Sequence, residues 1–220
     1  MSKRVTAVLF DVDGTLINSN DAHAAAWVEA FMQYGITVDP AHVRRCIGMG
    51  GDKLMPEVSG IDEDTARGSA IAERRGEIFT AKFLPTLRPF RDADHLVAAV
   101  KARRLTAVAA SSAKEDELKA LLKLAGAEWL MDDATSSDDA DESKPAPDII
   151  EAALKKANAS PAEAIMIGDT PYDITAAQRA GVRAIAFRCG GWGDVDLAGA
   201  IEIYDGPWDL LARVDESALT

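Results

Sequence analysis

The stretch VTAVLFDVDGTL, residues 5–16, decides the fold, because a short apolar run ends abruptly in two aspartates and a glycine. Three more apolar runs follow at residues 105–110, 164–168 and 182–187, and helical patterns fit residues 92–102, 114–125, 147–157 and 170–180. Short apolar runs that alternate with helices are typical of buried parallel strands. We therefore predict an α/β fold, a Rossmann-like doubly wound parallel sheet with right-handed crossovers.

An insert interrupts this alternation directly after the first predicted strand. Residues 21–34, 40–46, 52–58 and 62–83 have helical patterns and no convincing strand among them. Pro85 and Pro89 mark two hinge points, because proline disfavours helix at the residue before it. We predict that residues 1–16 and 91–220 form an α/β catalytic core and that residues 17–90 form an inserted helical cap with its hinges. Residues 132–142 are predicted to be a solvated acidic loop, and residues 189–193 a flexible turn.

The composition excludes several classes of function. Lysine and arginine number 24 against 36 aspartates and glutamates, a formal net charge of -12, which repels nucleic acid and anionic membranes. The two cysteines, Cys46 and Cys189, are too few and too far apart for a disulfide framework or a metal-ligand cluster. No apolar run has the length of a membrane helix. We expect a soluble, cytoplasmic monomer or homodimer that binds neither nucleic acid nor membrane.

The candidate site residues come from the ends of the predicted strands. Ligands of open parallel sheets bind beyond the carboxyl ends of the strands. Polar residues stand just after three of the apolar runs or near the following helices: Asp11, Asp13, Thr15, Ser111, Ser112, Lys144, Asp169 and Asp173. We therefore expect four carboxylates, a hydroxyl and an ammonium group to meet at one edge of the sheet.

Carboxylates crowded together need a cation or a proton between them. A hard divalent ion that accepts oxygen ligands, Mg²⁺, fits this set, and Asp11 and Asp169 are the best direct ligands. Asp13 lies two residues beyond Asp11, so its side chain points the same way from an extended strand end and could reach a proton near a nucleophile. Asp173 stands at the start of a helix, where an outer-shell role beside the metal is expected.

Each of these elements also has an ordinary structural interpretation when it is taken alone. Asp-Gly is a common turn, and Ser111 and Ser112 could cap a helix. Lys144 could be a surface lysine before a proline turn, and Asp173 could interact favourably with the dipole of its own helix. The order of the elements along the chain and their positions at strand ends favour one common site.

These ordered elements resemble the four motifs of haloacid dehalogenase-like phosphotransferases, and the resemblance spans nearly the whole chain. It is carried by DVDGTL at residues 11–16, Ser111, Lys144 and GDTPYD at residues 168–173. The resemblance implies that Asp11 attacks phosphorus to give an aspartyl phosphate, and that Asp13 protonates the leaving oxygen and then activates water. It also implies that Ser111 and Lys144 hold the phosphoryl oxygens. We extend this phosphate-binding role to Ser112.

The same resemblance implies a metal site and a cap. The backbone carbonyl of Asp13 would join Asp11 and Asp169 as protein ligands of Mg²⁺. The insert resembles the helical cap of the β-phosphoglucomutase and phosphoglycolate phosphatase branch, where caps close over the site. In the cap, His23 is a candidate for substrate contact, with a helix-surface position as the alternative. The loop CIGMGGDK at residues 46–53 supplies three further candidates, Gly50, Gly51 and Lys53, unless the glycines only terminate a helix and the lysine is solvated.

Three functions were weighed. The first is a phosphatase acting on a small phosphorylated metabolite of unknown identity; Asp13 argues against the dehalogenases and phosphonoacetaldehyde hydrolases of the superfamily, which lack an acid there. The alternative is a phosphosugar mutase, whose branch carries an arginine three residues after the cap-loop glycine, where this chain has Gly51 after Gly48. The third, a non-enzymatic phospho-acceptor module, is disfavoured because such modules have no helical insert after the first strand.

Overall fold

The computed structural model describes residues 4–220, and among them six parallel strands form one sheet in the order β3-β2-β1-β4-β5-β6. The strands are β1 (Ala7–Phe10), β2 (Thr106–Ala110), β3 (Asp133–Thr135), β4 (Ala164–Gly168), β5 (Arg183–Phe187) and β6 (Glu202–Tyr204). This order confirms the predicted doubly wound parallel sheet. The strand order reverses between β1 and β4, the position where such sheets bind ligands.

Nine α-helices are formed by the described residues. They are α1 (Asn20–Gln33), α2 (Pro40–Cys46), α3 (Gly51–Ser59), α4 (Ala66–Ile78), α5 (Ala93–Ala102), α6 (Glu115–Leu124), α7 (Asp148–Ala157), α8 (Pro171–Arg179) and α9 (Pro207–Ala212). The chain divides into two compact units, one comprising the residues up to Asn18 together with Arg88–Thr220 and the other Ser19–Leu87. The first unit holds the sheet, and the second is helical.

The centre of the sheet is the most deeply buried part of the first unit. All four residues of β1 are buried, and the strand pairs with β2 on one side and β4 on the other. Ile149, Ile150 and Leu154 of α7 belong to the same buried cluster as Leu9 and Met166 of the strands. Burial on both faces explains why the strand sequences are continuously apolar rather than alternating. The ends of β1 and β4 are therefore rigidly placed.

Two strands were missed by the sequence analysis. Residues 132–142 were expected to be a solvated loop, but Asp133–Thr135 pairs with β2, and Glu202–Tyr204 pairs with β5. The prediction was wrong because each strand has three residues, too few to show a periodic pattern, and β3 begins with an aspartate. The loop is also anchored, since the Asp132 carboxylate accepts a hydrogen bond from the amide of Ala107 at 2.9 Å.

The helices of the second unit agree with the predicted segments, except that one helix begins later than predicted. The helix expected from residue 62 begins at Ala66, because Thr65 caps it by accepting a hydrogen bond from the amide of Gly68 at 3.0 Å. At its far end the helix continues as a π-helical turn over Phe79–Phe83. Trp27 and Phe31 stack in the interior of this unit, with ring centroids 5.6 Å apart.

Candidate active site

Two carboxylates stand side by side where β1 and β4 end. Asp11 follows the last residue of β1, and Asp169 follows the last residue of β4. The amide of Asp11 donates to the carbonyl of Ile167 at 2.8 Å, which continues the pairing of the two strands to this point. Asp11 is 7% exposed and Asp169 is 0% exposed. Neighbouring parallel strands thus bring together residues that lie 158 positions apart in sequence (169 − 11).

A threonine hydroxyl links these two carboxylates. Thr15 Oγ1 lies 3.0 Å from Asp11 Oδ2 and 3.1 Å from Asp169 Oδ1. The loop returns Thr15 to this position because Gly14 adopts a left-handed backbone with φ of 77° and the amide of Leu16 donates to the carbonyl of Val12. A hydroxyl carries one proton, so it can donate to only one of the two carboxylates at a time. Thr15 lies within the first sequence motif, but no separate role was predicted for it.

Lys144 is the cation in contact with this cluster. Its Nζ lies 2.6 Å from Asp11 Oδ1 and 2.8 Å from Asp173 Oδ1, and the side chain is 1% exposed. The other oxygen of Asp173 accepts hydrogen bonds from the amide and hydroxyl of Thr170. The Asp173 amide donates to Thr170 Oγ1 in return, which completes the capping box of α8. The interpretation of Lys144 as a surface lysine is therefore wrong. Asp173 both caps its helix and pairs with the buried lysine. The peptide bond between Lys144 and Pro145 is cis.

The charges of the cluster do not balance. Burial raises the pKa of the Asp11 carboxyl to about 7, and the nearby Asp173 and Asp13 carboxylates add to this rise although Lys144 opposes it. Burial alone would lower the pKa of Lys144, but Asp11 and Asp173 outweigh it and hold the pKa above its usual range. The lysine is therefore protonated at neutral pH. One ammonium group faces several carboxylates, and part of the negative charge needs another partner.

This donor set fits a hard divalent cation. Asp11, Asp169 and Asp173 each offer a carboxylate oxygen within 4.8 Å of the others, and all three side chains are buried. No other group of three or more possible ligands was found among the described residues. Oxygen-only donors are those that Mg²⁺ prefers. Asp13 is half-buried beside this cluster, and its predicted catalytic and carbonyl-ligand roles stay predictions.

Two serines follow β2, on the other side of β1. The amide of Ser111 donates to the carbonyl of Thr135, and its hydroxyl accepts from the amide of Ala113 at 3.0 Å. Helix α6 begins only at Glu115, so the interpretation of the serines as its N-cap is wrong. Ser112 Oγ is buried and has no hydrogen-bond partner among the described residues. A buried hydroxyl of this kind can bind a ligand oxygen.

The turn after β5 belongs to the site, which the sequence analysis did not predict. Residues Arg188–Gly190 form a 3₁₀ turn, and Cys189 Sγ lies 3.5 Å from the carbonyl oxygen of Gly14. Burial, and then the Asp169 charge, raise the pKa of the Cys189 thiol, so the thiol keeps its proton and donates it to that carbonyl. Gly190 is buried against the Asp169 carboxylate. These contacts were not predicted because they join residues distant in sequence, and the flexibility of the turn stays a prediction.

The cap candidates lie in the helical unit. His23 is buried and stacks on Phe79 with ring centroids 4.0 Å apart, so its alternative interpretation as a helix-surface residue is wrong. Gly50 is the N-cap of α3, and Gly51 is the first residue of that helix. The Lys53 side chain is 37% exposed and lies 3.9 Å from Asp52. The glycines thus have a structural role at a helix start, and a substrate role for any of the four candidates stays a prediction.

No helix in the described part of the chain combines the length and the apolar character needed to cross a membrane. The acidic residues 132–142 are held by surface lysines, since Lys101 pairs with Asp132 and Lys156 with Asp139. Asp132 and Asp139 of this stretch therefore each have a lysine partner.

Comparisons with known proteins identify the family of this chain. Residues 8–187 match the family model described as haloacid dehalogenase-like hydrolase. A phosphoglycolate phosphatase from Aquifex aeolicus is 28% identical over 216 residues, 94% of this chain and 96% of that protein. The Arabidopsis thaliana protein SUPPRESSOR OF QUENCHING 1 is 37% identical over 194 residues, 84% of this chain but 18% of that protein's length.

A solved structure agrees over almost the whole chain. The crystal structure of a hydrolase from Pseudomonas syringae has a TM-score of 0.88 and 28% identity, and the match covers 96% of this chain and 98% of that one. The residues matched by the family model include β2 to β5, most of β1, and the motif residues Asp11, Ser111, Lys144 and Asp169. The chain belongs to the haloacid dehalogenase-like hydrolase family.

Proposed function

We propose that the protein is a Mg²⁺-dependent phosphatase that hydrolyses a small phosphate monoester through an aspartyl phosphate on Asp11. The observation that carries this proposal is the buried contact of Asp11 with Lys144 and, through Thr15, with Asp169. A carboxylate that attacks an anionic phosphoryl group needs positive charge and hydrogen-bond donors around the reacting centre. The site supplies an ammonium group at Asp11 Oδ1 and a hydroxyl group at Asp11 Oδ2.

The nucleophile is a carboxylate whose ionisation depends on its neighbours. Without a cation, burial raises the pKa of Asp11 to about 7, which leaves much of it protonated and unreactive at neutral pH. Asp11, Asp169 and the Asp13 carbonyl would hold Mg²⁺, with Asp173 outside them. When bound, the ion supplies positive charge that keeps Asp11 ionised and neutralises phosphoryl oxygens. Lys144 adds the second positive charge at Asp11 Oδ1.

The proposed reaction has two steps. An Asp11 oxygen forms a bond to phosphorus while the bond from phosphorus to the ester oxygen breaks, and Asp13 donates a proton to that leaving oxygen. Ser111, Ser112 and Lys144 hold the phosphoryl oxygens during this step. Water next attacks phosphorus, Asp13 accepts its proton, and the bond to Asp11 breaks to release inorganic phosphate. The second step restores both groups, because Asp11 is again a free carboxylate and Asp13 again carries its proton.

The helical unit, residues 17–90 in our prediction, is proposed to be the cap. His23, Gly50, Gly51 and Lys53 remain the candidates for substrate selection. The phosphatase named among the relatives acts on phosphoglycolate, and a small phosphorylated metabolite is proposed here. Gly51 stands where the mutase branch carries an arginine. A Cβ at that position would lie 2.6 Å from Glu63 Oε2, so an arginine could not replace Gly51 without rearrangement.

Phosphate release from a panel of esters tests the proposal. The panel contains phosphoglycolate, sugar phosphates, polyol phosphates and nucleotides, each with Mg²⁺ and with a chelator. Wild-type protein should release phosphate only with Mg²⁺, and Asp11→Asn should reduce the rate by about a thousandfold or more. Asp132→Asn is the matched control, because its carboxylate lies outside the site and pairs with Lys101.

Two outcomes would change the proposal. Release by Asp11→Asn at the wild-type rate would exclude an aspartyl phosphate on that residue. Folded wild-type protein that releases no phosphate from any ester would favour the mutase, which is then assayed with sugar phosphates and a bisphosphate activator.

A further inference from the structure

One glycine that lies outside the four sequence motifs is very close to the carboxylate of Asp169. Gly190 lies in the turn after β5, and a Cβ built on it would fall 1.7 Å from Asp169 Oδ2 and 2.3 Å from Asp169 Cγ. Side-chain atoms do not approach a Cβ so closely. Only glycine therefore fits at this position while Asp169 keeps its present conformation.

Backbone conformation does not explain this glycine. Gly191, the next residue, has a left-handed backbone with φ of 97°, a conformation that favours glycine. Gly190 is not among the described glycines with positive φ. Its identity is therefore explained by the carboxylate of Asp169 and not by the turn itself.

The clash could not be relieved by rotating the Asp169 side chain. The Cβ of Asp169 itself would lie 2.6 Å from a Cβ at position 190, and that atom is fixed by the backbone at the end of β4. Asp169 is fully buried, and its other oxygen is 3.1 Å from Thr15 Oγ1. An added methyl group must therefore move the turn or the end of the strand, and the carboxylate with it.

The residue before Gly190 holds a second loop of the site. Cys189 Sγ donates to the carbonyl of Gly14 at 3.5 Å, directly after Asp13. The turn after β5 thus contacts the loop after β4 through Gly190 and the loop after β1 through Cys189. These two loops contain the three groups assigned to Mg²⁺, namely the carboxylates of Asp11 and Asp169 and the carbonyl of Asp13.

We propose that the Cys189–Gly190 turn is a positioning element for the divalent cation, which fixes the Asp169 carboxylate and the loop of Asp13 and Gly14. This inference rests on the proposed function, because it assumes that the carboxylate cluster binds Mg²⁺. The turn itself supplies no metal ligand. Groups behind the ligands of a metal commonly change its affinity by about 10- to 100-fold when they are altered.

Calorimetric titration of the protein with Mg²⁺ tests the inference without an activity readout. Gly190→Ala should weaken Mg²⁺ binding by about 10-fold or more. Gly193→Ala is the matched control in the same loop, since the nearest described atom to its Cβ would be Asp196 Oδ2 at 4.0 Å. It should bind Mg²⁺ within about twofold of wild type, because surface changes of this size have little effect.

A second variant keeps the test open if Gly190→Ala does not fold. Cys189→Ala removes the hydrogen bond to Gly14 without adding volume, and a weak S–H···O contact predicts a loss of Mg²⁺ affinity of about two- to fivefold. Thermal unfolding in chelator is measured beside each titration. A purely structural role would lower the melting temperature and leave the Mg²⁺ dissociation constant unchanged.

The outcomes separate this inference from the proposed function. Folded Gly190→Ala with wild-type Mg²⁺ affinity would overturn the inference, while wild-type protein still bound Mg²⁺ and released phosphate. If only Cys189→Ala folds, wild-type affinity in that variant would overturn it. Wild-type protein that neither bound Mg²⁺ nor hydrolysed any ester would overturn the proposed function and the inference together.

Discussion

Two acidic regions of the first unit differ in what their carboxylates do. Burial raises the pKa of Asp11 in the cluster at the ends of β1 and β4. Burial alone would also raise the pKa of Asp132 beside β3, but the Lys101 ammonium and the Ala107 amide outweigh it and lower the pKa. The Ser136 amide and the Lys156 ammonium lower the pKa of Asp139. Both regions are rich in aspartate, so the number of carboxylates does not distinguish them.

The difference lies in the ratio of partners to carboxylates. In the acidic stretch at residues 132–142, Asp132 and Asp139 each have a lysine and a backbone amide as donors. In the site, Lys144 is shared between Asp11 and Asp173. A buried cluster with too few cationic partners can still bind a metal ion and react with a phosphoryl group. Surface carboxylates that already have a lysine and an amide as partners are not expected to do so.

Replacement of the paired lysine should give the largest difference in stability between the two regions. Lys144→Met would leave buried carboxylates without their ammonium partner, and the free energy of unfolding should fall by about 3 kcal/mol or more in chelator. Lys156→Met is the control, because Lys156 pairs with Asp139 near the surface, where such a pair contributes less than about 1 kcal/mol. Urea unfolding measures both. Equal losses of unfolding free energy in the two variants would contradict the proposed difference between the two regions.

The pH dependence of the free energy of unfolding should differ between the two regions near neutral pH. The pKa of Asp11 is raised from 3.8 to about 7, so the folded state binds an extra proton between these values. In chelator the free energy of unfolding of wild type should therefore fall, relative to Asp11→Asn, by about 1 kcal/mol or more as the pH rises from about 4 to 7.

The acidic stretch supplies the control for this measurement. The pKa of Asp139 is lowered, so its stabilising contribution is complete above the ordinary value of 3.8 and is lost only as the pH falls toward the folded-state pKa. The difference between wild type and Asp139→Asn should stay constant from about pH 5 to 7. Parallel profiles of wild type and Asp11→Asn across this window would show that Asp11 is not protonated there.

The sequence predicted the parts of the fold that have strong local patterns. β1 and β4 are apolar throughout, and β2 and β5 are apolar after their first residues, Thr106 and Arg183. The residues that follow β1, β2 and β4 gave Asp11, Ser111 and Asp169 as site candidates. β3 and β6 could not be predicted in this way, because strands of three residues depend on pairing with a neighbour rather than on their own pattern.

The missed parts of the site are contacts between distant residues. Thr15 was quoted within a motif, but its bond to Asp169 joins two strand ends and has no signal in a single sequence. Gly190 looked like part of a glycine-rich turn, and only its distance to Asp169 shows why an alanine would not fit. The burial of His23 likewise depends on Phe79, which lies 56 residues away (79 − 23).

The central claim, a phosphoryl group carried by Asp11, is tested most directly by trapping it. Asp13→Asn removes the group proposed to activate water and to protonate the leaving oxygen, but leaves Asp11 in place. With Mg²⁺ and p-nitrophenyl phosphate, whose leaving group needs no proton from Asp13, the phosphorylated protein should accumulate. Acid quenching and peptide mass spectrometry should then find one phosphoryl group on the peptide that contains Asp11, and none in Asp11→Asn. Turnover by wild type with no phosphorylated peptide in Asp13→Asn, or with the phosphoryl group on another residue, would contradict the account.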